Sequence, residues 1–239
     1  MIRNDFDSAK GRAAVAAAEM VESGMVVGLG TGSTARLLVE RLGERMTTEG
    51  LHFRAVATSI ATAELAASLN IAVIELDSVG QLDLNIDGAD EVDPEFRLIK
   101  GLGGALLREK IVCAAARRRV TIVDSSKRVN RLGALAPVPV EVSPFGFAHI
   151  GRRLAGLGAR INLRTNPDGS IFATDGGHRI FDCHFGPIAE PAALDVRIKA
   201  VPGAFETGIF VDLCDCLIVG LDEGVEVINS AGPGSPRST

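Results

Sequence analysis

The segment "MVVGLGTGSTARLLVERLGERM" at residues 25–46 changes from a β-rich run to a helical pattern across a glycine turn. The turn therefore lies at a helix N-terminus, where unpaired N–H groups and the positive end of the helix dipole favour an anion. Its glycines let the backbone approach a ligand closely, and Thr31, Ser33 and Thr34 add hydroxyl donors. The segment predicts a strand, an anion-binding turn suited to phosphate, and a helix whose apolar face carries Ala35, Leu38, Val39, Leu42 and Met46.

Two familiar phosphate-binding turns fit this segment poorly. A dinucleotide fingerprint that starts at Gly28 needs glycine where Ser33 stands, and the next predicted strand ends in Thr58 and Ser59 instead of a ribose-binding acid. A P-loop needs Gly-Lys in place of Ser33 and Thr34. An ordinary glycine-rich turn without a ligand stays open, because short glycine patterns are weak signals.

Strand-like runs alternate with helical spacing over the first half of the chain. Helical spacing follows the first, second and fourth runs, so we expect βαβ units in an α/β fold with a doubly wound, mostly parallel, Rossmann-like sheet. In such a sheet ligands bind beyond the carboxyl ends of the strands. The polar segments 31–34, 87–91 and 124–127 follow predicted strands, and we expect them at one edge. The predicted strands are 25–29, 53–58, 71–76, 82–86 and 120–124.

A different pattern begins after Pro137. Helical spacing at 147–158 and 191–201, with short strands divided by "NPDG" and "DGGH", predicts a smaller α+β module with an antiparallel sheet. The apolar run 211–221 is expected to return to the first domain as a buried strand. The predicted domains are 1–132 plus 211–239, which are Rossmann-like, and 133–210, which are α+β; the tail 230–239 is expected to be disordered.

Three acids crowd the segment "DGADE" at residues 87–91, namely Asp87, Asp90 and Glu91. Like charges this close repel one another unless a cation, a polar ligand or water relieves them. A metal site, a substrate site and a solvated turn all remain possible from the residues alone. The spacing of these acids does not match a calcium-binding EF-hand loop.

A second glycine turn lies in "KGLGGALLREK" at residues 100–110, and it also opens a predicted helix. On that helix Glu109 shares one side with Ala105, Leu106, Val112 and Cys113. If that side faces a closed pocket, desolvation raises the carboxyl pKa and makes Glu109 a stronger base. A glutamate that reaches solvent or pairs with a nearby cation is the alternative.

The composition excludes several classes of protein. Hydrophobic residues form 46% and charged residues 23%, which is typical of a globular protein. A net charge of −5 gives no basic surface for nucleic acid, and the sequence contains no Trp or Tyr to stack on bases. No signal peptide or apolar run long enough to cross a bilayer is evident, so we expect a cytoplasmic protein without a membrane partner.

The sequence has four cysteines, which are too few and too irregularly spaced for a disulfide framework. Cys214 and Cys216 form a Cys-x-Cys pair without a well-spaced histidine to complete a zinc site. We expect both thiols to pack in the core, because free cysteine is usually buried.

Four motifs in this order, "GTGST", "DGADE", "KGLGGALLREK" and "DSSK", resemble those of the type A ribose-5-phosphate isomerase family. The later segments "PVPVEV" and "IKAVPG" extend the resemblance over nearly the whole chain. The resemblance implies interconversion of D-ribose 5-phosphate and D-ribulose 5-phosphate through an enediol(ate), in the non-oxidative pentose phosphate pathway. It also implies that no metal and no organic cofactor take part, and that the enzyme is a homodimer or homotetramer.

The resemblance also implies roles for individual residues. Glu109 would move the proton between C1 and C2, while Asp87 and Asp90 would bind sugar hydroxyls and assist ring opening. Lys100 and the backbone of Gly101, Leu102 and Gly103 would steady the developing oxyanion. Lys10, near a helix start, could reach the phosphate, although an exposed lysine is the simpler expectation. The remaining substrate-binding positions are Thr31, Gly32, Ser33, Thr34, Gly88, Ala89 and Lys127.

Two residues depart from the usual form of the family. Leu102 stands where glycine is common, so a positive φ at that position would strain it. Leu107 stands where a small hydroxyl residue can occur, which could alter packing beside Glu109.

Two functions of other classes compete with an isomerase. A non-catalytic sugar-phosphate sensor could share the phosphate-binding turn, but it would need neither Glu109 nor Lys100 and usually carries a DNA-binding module. A metal-dependent hydrolase could use the acidic turn, and its activity would not survive exhaustive treatment with EDTA.

Overall fold

The computed structural model describes residues 5–230. Short 3₁₀ turns at Asp5–Asp7, Leu76–Ser78 and Ser125–Lys127 accompany the longer helices. The helices are α1 Ala9–Ala18, α2 Ser33–Glu49, α3 Ile60–Ser68, α4 Leu106–Ala114, α5 Phe147–Ala155 and α6 Pro191–Lys199.

The strands form three sheets. They are β1 Val26–Leu29, β2 Arg54–Ala57, β3 Ala72–Val73, β4 Leu82–Gly88, β5 Glu91–Val92, β6 Leu98–Ile99, β7 Ala116–Asp124, β8 Val138–Val142, β9 Arg160–Leu163, β10 Arg179–His184, β11 Ala204–Thr207, β12 Ile209–Phe210, β13 Cys216–Gly220 and β14 Val225–Asn229.

The chain divides into two compact units. The first contains the residues up to Gly88, residues Ile111–Lys127 and the residues from Asp212 onward. The second contains Ala89–Lys110 and Arg128–Val211. The predicted domain boundaries stay a prediction, and these units differ from them by grouping 89–110, 128–132 and residue 211 with the smaller module. The physical reason for the placement of 89–110 is that β5 pairs with β6, and β6 pairs with β12, in a separate three-stranded sheet.

The first unit contains a seven-stranded sheet in the order β14-β13-β7-β4-β1-β2-β3. Every pairing in it is parallel except that of β13 with the edge strand β14. Val27 packs with apolar residues of α1 and α2, whereas its neighbour Val26 packs with Val112 of α4. Because successive side chains of a strand point to opposite faces, helices cover both faces of the sheet. The predicted doubly wound, mostly parallel α/β fold is confirmed.

The second unit contains a four-stranded antiparallel sheet in the order β11-β8-β10-β9. One face of this sheet packs against α5 and α6, through a core that includes Val140, Phe181, Leu154 and Ile198. A three-stranded sheet in the order β12-β6-β5 belongs to the same unit. This is the smaller α+β module that the sequence predicts.

Some local predictions need correction. The predicted strand 71–76 extends only over Ala72–Val73 and is followed by a 3₁₀ turn. The run 211–221 does return to the large sheet, but its strand begins at Cys216 and pairs in parallel with β7. Cys214 therefore precedes the strand, and both thiols are buried, as expected. The predicted disordered tail lies outside the described residues except for Ser230. Among residues 5–230, no helix has the length and apolar character needed to cross a bilayer.

Candidate active site

The carboxyl ends of β1, β4 and β7 lie side by side at one edge of the seven-stranded sheet. In the register of the sheet, Leu29 pairs with Ile86, and Asp87 pairs with Thr121 of β7. The turn that begins at Gly30, the acidic segment at Asp87 and the 3₁₀ turn that ends at Lys127 follow these strand ends. The structure therefore brings these three predicted groups of the first unit to the same edge.

Asp87 is 3% exposed, so it is not a solvated turn residue. Its Oδ1 accepts hydrogen bonds from the N–H groups of Thr31, at 3.1 Å, and Gly88, at 2.7 Å. A Cβ atom on Gly30 would lie 1.9 Å from Asp87 Oδ1 and 2.6 Å from Asp87 Cα. Glycine at position 30 is required because it lets β1 run directly past the carboxylate, which fixes Asp87 beneath the turn.

The turn at Gly30–Thr34 presents its backbone to solvent at the start of α2. Gly32 is the N-cap, with φ of 109° and ψ of −178°, a conformation that is essentially restricted to glycine. Gly32 and Ser33 are exposed, and Lys10 Nζ donates to Ser33 Oγ at 3.0 Å. The turn thus combines the N-terminus of a seventeen-residue helix with a lysine, and both carry positive charge that favours an anion.

Thr31 does not extend its hydroxyl to the exposed side of the turn, which corrects the expectation of a free donor there. Its Oγ1 lies 2.7 Å from Thr58 Oγ1 and 2.9 Å from Ser59 Oγ. Thr62 Oγ1 in turn donates to the carbonyl of Gly30 at 2.9 Å. These hydroxyls tie the turn to β2 and α3, so Thr31 holds the backbone while Gly32 and Ser33 stay exposed. Thr34 is buried.

Lys100 and Glu109 form a buried ion pair in the second unit. Lys100 Nζ lies 3.3 Å from Glu109 Oε2, and the two residues are 4% and 3% exposed. Glu109 lies in the first turn of α4, and its backbone N–H donates to the carbonyl of Ala105. Backbone pairing of β6 with β12 holds Lys100, whose N–H donates to the carbonyl of Gly208. The structure therefore buries Glu109 on its apolar stripe and also pairs it with Lys100, so the pairing with a nearby cation, which the sequence left open as the alternative, is present as well.

The turn between these two residues is built from glycines of positive φ, 103° at Gly101 and 87° at Gly104. Leu102 lies outside the positive-φ region and exposes its side chain. The strain considered for Leu102 is therefore absent, because neighbouring glycines make the turn. The Leu102 N–H donates to Asp90 Oδ2 at 3.0 Å, which connects the acidic segment to this turn.

Glu91 has a structural role that its sequence position does not reveal. It is fully buried, and its carboxylate accepts from the N–H groups of Gly133, Leu135 and Ala136. These three donors satisfy the charge and anchor the 133–136 loop. The crowded segment is thus relieved by separate partners: Asp87 and Asp90 stay as candidate ligands, and Glu91 does not.

Lys110, next to Glu109, secures the start of α4 within the second unit. Its Nζ donates to Glu206 Oε1 and to the carbonyls of Thr207 and Ile209, each at 2.8 Å. It also lies 4.7 Å from the centre of the Phe210 ring. Burial lowers the pKa of Lys110 from its ordinary value, although the hydrogen bond to Glu206 opposes this change. The helix that carries Glu109 is consequently fixed by charged contacts and not by packing alone.

The structure groups the candidate residues by unit. The first unit holds Thr31, Gly32, Ser33, Thr34, Asp87, Gly88 and Lys127, and the second holds Ala89, Asp90, Lys100, Gly101, Leu102, Gly103 and Glu109. Sequence reasoning undervalued Lys10, whose place near a helix start was the available signal. It missed Arg164 entirely, because nothing near that residue in sequence indicates a contact with the turn at Gly101. Among the described residues, no group of three His, Cys, Asp or Glu side chains is arranged to hold a metal ion.

The first unit is a Rossmann-like α/β unit in which a glycine turn opens a helix, and the second unit carries a buried glutamate paired with a lysine beside another glycine turn. A buried carboxylate of this kind is suited to acid–base chemistry. A sequence model of the family described as Ribose 5-phosphate isomerase A (phosphoriboisomerase A) matches residues 54–224. The chain belongs to this family, which confirms the resemblance.

Individual proteins show the same relationship over the full chain. Ribose-5-phosphate isomerase A of Gloeobacter violaceus is 51% identical over 231 residues, which cover 96% of this chain and 100% of that protein. The corresponding protein of Thermomicrobium roseum is also 51% identical, over 97% of this chain and 98% of its own.

Solved structures agree with the sequence relatives. Ribose 5-phosphate isomerase A of Methanocaldococcus jannaschii superposes with a TM-score of 0.88 at 37% identity, covering 92% of this chain and 98% of the other. A D-ribose-5-phosphate isomerase in complex with phospho-erythronic acid has a TM-score of 0.89 at 38% identity, covering 92% of this chain and 97% of the other.

Proposed function

We propose that this chain interconverts D-ribose 5-phosphate and D-ribulose 5-phosphate with Glu109 as the base. The activity follows from family membership, and it confirms the predicted class of aldose–ketose isomerase. The assignment of Glu109 rests on one observation, its burial at 3% exposure with Lys100 Nζ 3.3 Å away. Removal from water makes a carboxylate a stronger base towards a carbon-bound hydrogen, and the neighbouring Lys100 ammonium opposes this effect.

The reaction needs one proton to move between adjacent carbons. In the direction of ribulose, Glu109 removes the proton from C2, the electrons form the C1–C2 double bond of an enediolate, and negative charge develops on the carbonyl oxygen. Glu109 then delivers the proton to C1. The C2 hydroxyl loses its proton as the C2 carbonyl forms, and O1 takes up a proton, so that the net change is one hydrogen from C2 to C1 and one from O2 to O1. Lys100 and the N–H groups of the Gly101–Gly103 turn stabilise the developing charge, the type of interaction that accelerates the chemical step most.

The remaining candidates bind the ends of the sugar. Asp87 and Asp90 accept hydrogen bonds from sugar hydroxyls and assist ring opening, with Gly88 and Ala89 forming the intervening backbone. The exposed turn at Gly32 and Ser33, supported by Thr31 and Thr34, binds the phosphate. Lys127 and Lys10 add positive charge for that phosphate. The proposal uses no metal and no organic cofactor.

Turnover of ribose 5-phosphate by Glu109→Gln tests the proposal. We expect kcat to fall by about 10³-fold, because general acid–base catalysis contributes on this scale. Binding of a phosphorylated inhibitor should persist, since the amide keeps the shape of the side chain. A fall of less than ten-fold would contradict the base assignment.

Glu141→Gln supplies a matched control for this experiment. Glu141 is also buried in the second unit, where its carboxylate accepts from Thr174 Oγ1 at 2.9 Å and is paired with His178 Nδ1 at 2.8 Å. Its replacement removes a buried charge outside the proposed machinery. Turnover should stay near that of the parent protein, even where thermal stability decreases.

The cellular setting is also part of the proposal. We infer from the family resemblance that the enzyme works in the cytoplasm as a homodimer or homotetramer, in the non-oxidative pentose phosphate pathway. Light scattering coupled to size exclusion measures the assembly, and a monomer at micromolar concentration would contradict this part.

A further inference from the structure

Arg164 contacts the carbonyl groups of the turn that follows Lys100. Its Nη1 donates to the carbonyl of Gly101 at 2.9 Å and to the carbonyl of Leu102 at 3.1 Å. The side chain is 12% exposed, although it lies 63 residues from Gly101 in sequence. One guanidinium nitrogen therefore binds two consecutive peptide groups of the turn.

The guanidinium is itself fixed from two directions. Asp182 accepts from Arg164 Nε at 3.0 Å and also from Nη2, which makes the pair bidentate. Asp182 lies on β10 between Pro139 of β8 and Asn162 of β9, so its backbone is held on both sides. The Phe172 ring centre lies 5.8 Å from Arg164 Cζ, and a Cβ on Gly104 would lie 2.5 Å from that ring. Arg164 and Phe172 together support the turn from Gly101 to Gly104.

Because the peptide group is planar, the bonds from Arg164 to the two carbonyls also fix the direction of the N–H groups in the same peptides. In a trans peptide the carbonyl of one residue and the N–H of the next point in opposite directions. When Arg164 holds the carbonyls of Gly101 and Leu102, the N–H groups of Leu102 and Gly103 must point away from it. The Leu102 N–H does so, since it donates to Asp90 Oδ2 at 3.0 Å.

We propose that Arg164, fixed by Asp182 and Phe172, is a positioning residue: it holds the Leu102 N–H on Asp90 and directs the Gly103 N–H of the same turn at the charge that develops on the substrate. This inference rests on the proposed function, in which that turn stabilises the enediolate. The guanidinium charge behind the two carbonyls also polarises both peptide groups and so strengthens their N–H donors.

The proposal assigns Arg164 an effect on chemistry rather than on substrate capture. The enediolate carries a charge that the bound sugar lacks, so a misaimed N–H group weakens the transition state more than the ground state. Replacement of Arg164 should therefore lower kcat and leave KM nearly unchanged.

Arg164→Met is the primary test, and Arg119→Met is its matched control. Arg119 binds Asp215 through Nε at 2.8 Å and Nη2 at 2.7 Å, and its Nη1 donates to the carbonyl of Asp212 at 2.9 Å. This arrangement of one arginine, one aspartate and a backbone carbonyl reproduces that of Arg164 away from the proposed machinery. Both variants lose comparable contacts, so their melting temperatures calibrate the purely structural cost.

We expect kcat of Arg164→Met to fall by about 30-fold. This loss is smaller than that caused by removal of an oxyanion donor, because the N–H groups remain present and lose only their orientation. KM should change by less than about 3-fold, and kcat of Arg119→Met should stay within about 2-fold of the parent protein. Arg164→Lys keeps one donor but not the bidentate pair, so its kcat should lie between those of the parent protein and Arg164→Met. If Arg164→Met fails to fold, Arg164→Lys supplies the comparison.

Two inhibitors separate positioning from general damage. Phospho-erythronic acid carries a carboxylate where the enediolate carries charge, whereas ribitol 5-phosphate is neutral at that end. Arg164→Met should weaken binding of the acid about ten-fold and leave binding of the alcohol unchanged. Equal weakening of both, or a kcat equal to that of Arg119→Met, would overturn the inference while the proposed function stands. A parent protein without isomerase activity would overturn both.

Discussion

The turns at Gly30–Thr34 and Gly101–Gly104 are both glycine-rich and both precede a helix, yet they are supported differently. The first presents Gly32 and Ser33 to solvent, and hydroxyl groups tie it to neighbouring elements of the first unit. The second lies between buried Lys100 and buried Glu109, and the charged side chain of Arg164 binds its carbonyl groups. The same sequence signal thus produces an open turn in one unit and a braced turn in the other.

This difference matches the charges that the two turns are proposed to meet. A phosphate is fully charged before it binds, and an exposed helix N-terminus can bind it without strict orientation of each donor. The charge of an enediolate exists only during the reaction, so its donors must already be oriented. The comparison predicts that changes in the open turn alter KM, whereas changes in the braced turn alter kcat.

Among the changes proposed for the two turns, Lys100→Met should have the largest effect on turnover. We expect kcat to fall by about 10²- to 10³-fold, because a cationic donor to the developing charge is lost. The variant should also unfold more easily, by about 3 kcal/mol, since the partner of buried Glu109 is removed. Steady-state kinetics and chemical denaturation measure both changes.

The double variant Lys100→Met with Glu109→Gln checks the stability part. Neutralising the carboxylate should recover some of the free energy of unfolding that Lys100→Met loses, because no unpaired charge stays buried. Strict additivity of the two single changes would contradict a direct pairing of these side chains.

Gly32→Ala should have an intermediate effect, and it should act on KM. A side chain disfavours the φ of 109° at this position, so the turn relaxes and its N–H groups move from the phosphate. We expect KM for ribose 5-phosphate to rise about ten-fold with kcat within about two-fold.

Gly24→Ala is the matched control for that variant. Gly24 has a φ of 93°, and, as at Gly32, a Cβ there would meet no atom within 4 Å. It should lose similar stability and keep the parental KM. A rise in KM for both variants would show that backbone strain, not the phosphate turn, controls KM.

Leu102→Gly should have the smallest effect on turnover. Leu102 is exposed and lies outside the positive-φ region, so glycine relieves no strain there. We expect kcat and KM within about two-fold, and a loss of about 0.5–1 kcal/mol in the free energy of unfolding from backbone entropy. A large gain in kcat would instead show that the leucine constrains the turn.

Much of the fold could be predicted because its signals are local. Alternating strand and helix patterns located β1, β2, β4 and β7, and polar residues at strand ends indicated the edge of the sheet. The grouping of residues 89–110 with the second unit could not be predicted, because two-residue strands such as β5 and β6 have no periodicity. Their assignment depends on the pairing of β6 with β12, which lies about a hundred residues away in sequence.

The candidate site was predicted less completely than the fold. The place of Glu109 on an apolar stripe is a local property that drew attention to it, but its role as base came only from the resemblance to the family. Glu91 stands next to Asp90 in sequence, but only the distant N–H groups of residues 133–136 make it structural. Arg164 had no signal at all, since an arginine after a short strand is usually exposed.

The sequence by itself determined which chemical groups exist and where the chain turns: glycine turns before helices, acids after a strand, and a glutamate in the first turn of a helix. Only the tertiary structure decided the partner of each charge, such as Lys100 for Glu109 and Asp182 for Arg164. The physical reason is that backbone preferences act over a few residues, whereas a buried charge requires whichever donor the whole fold brings to it.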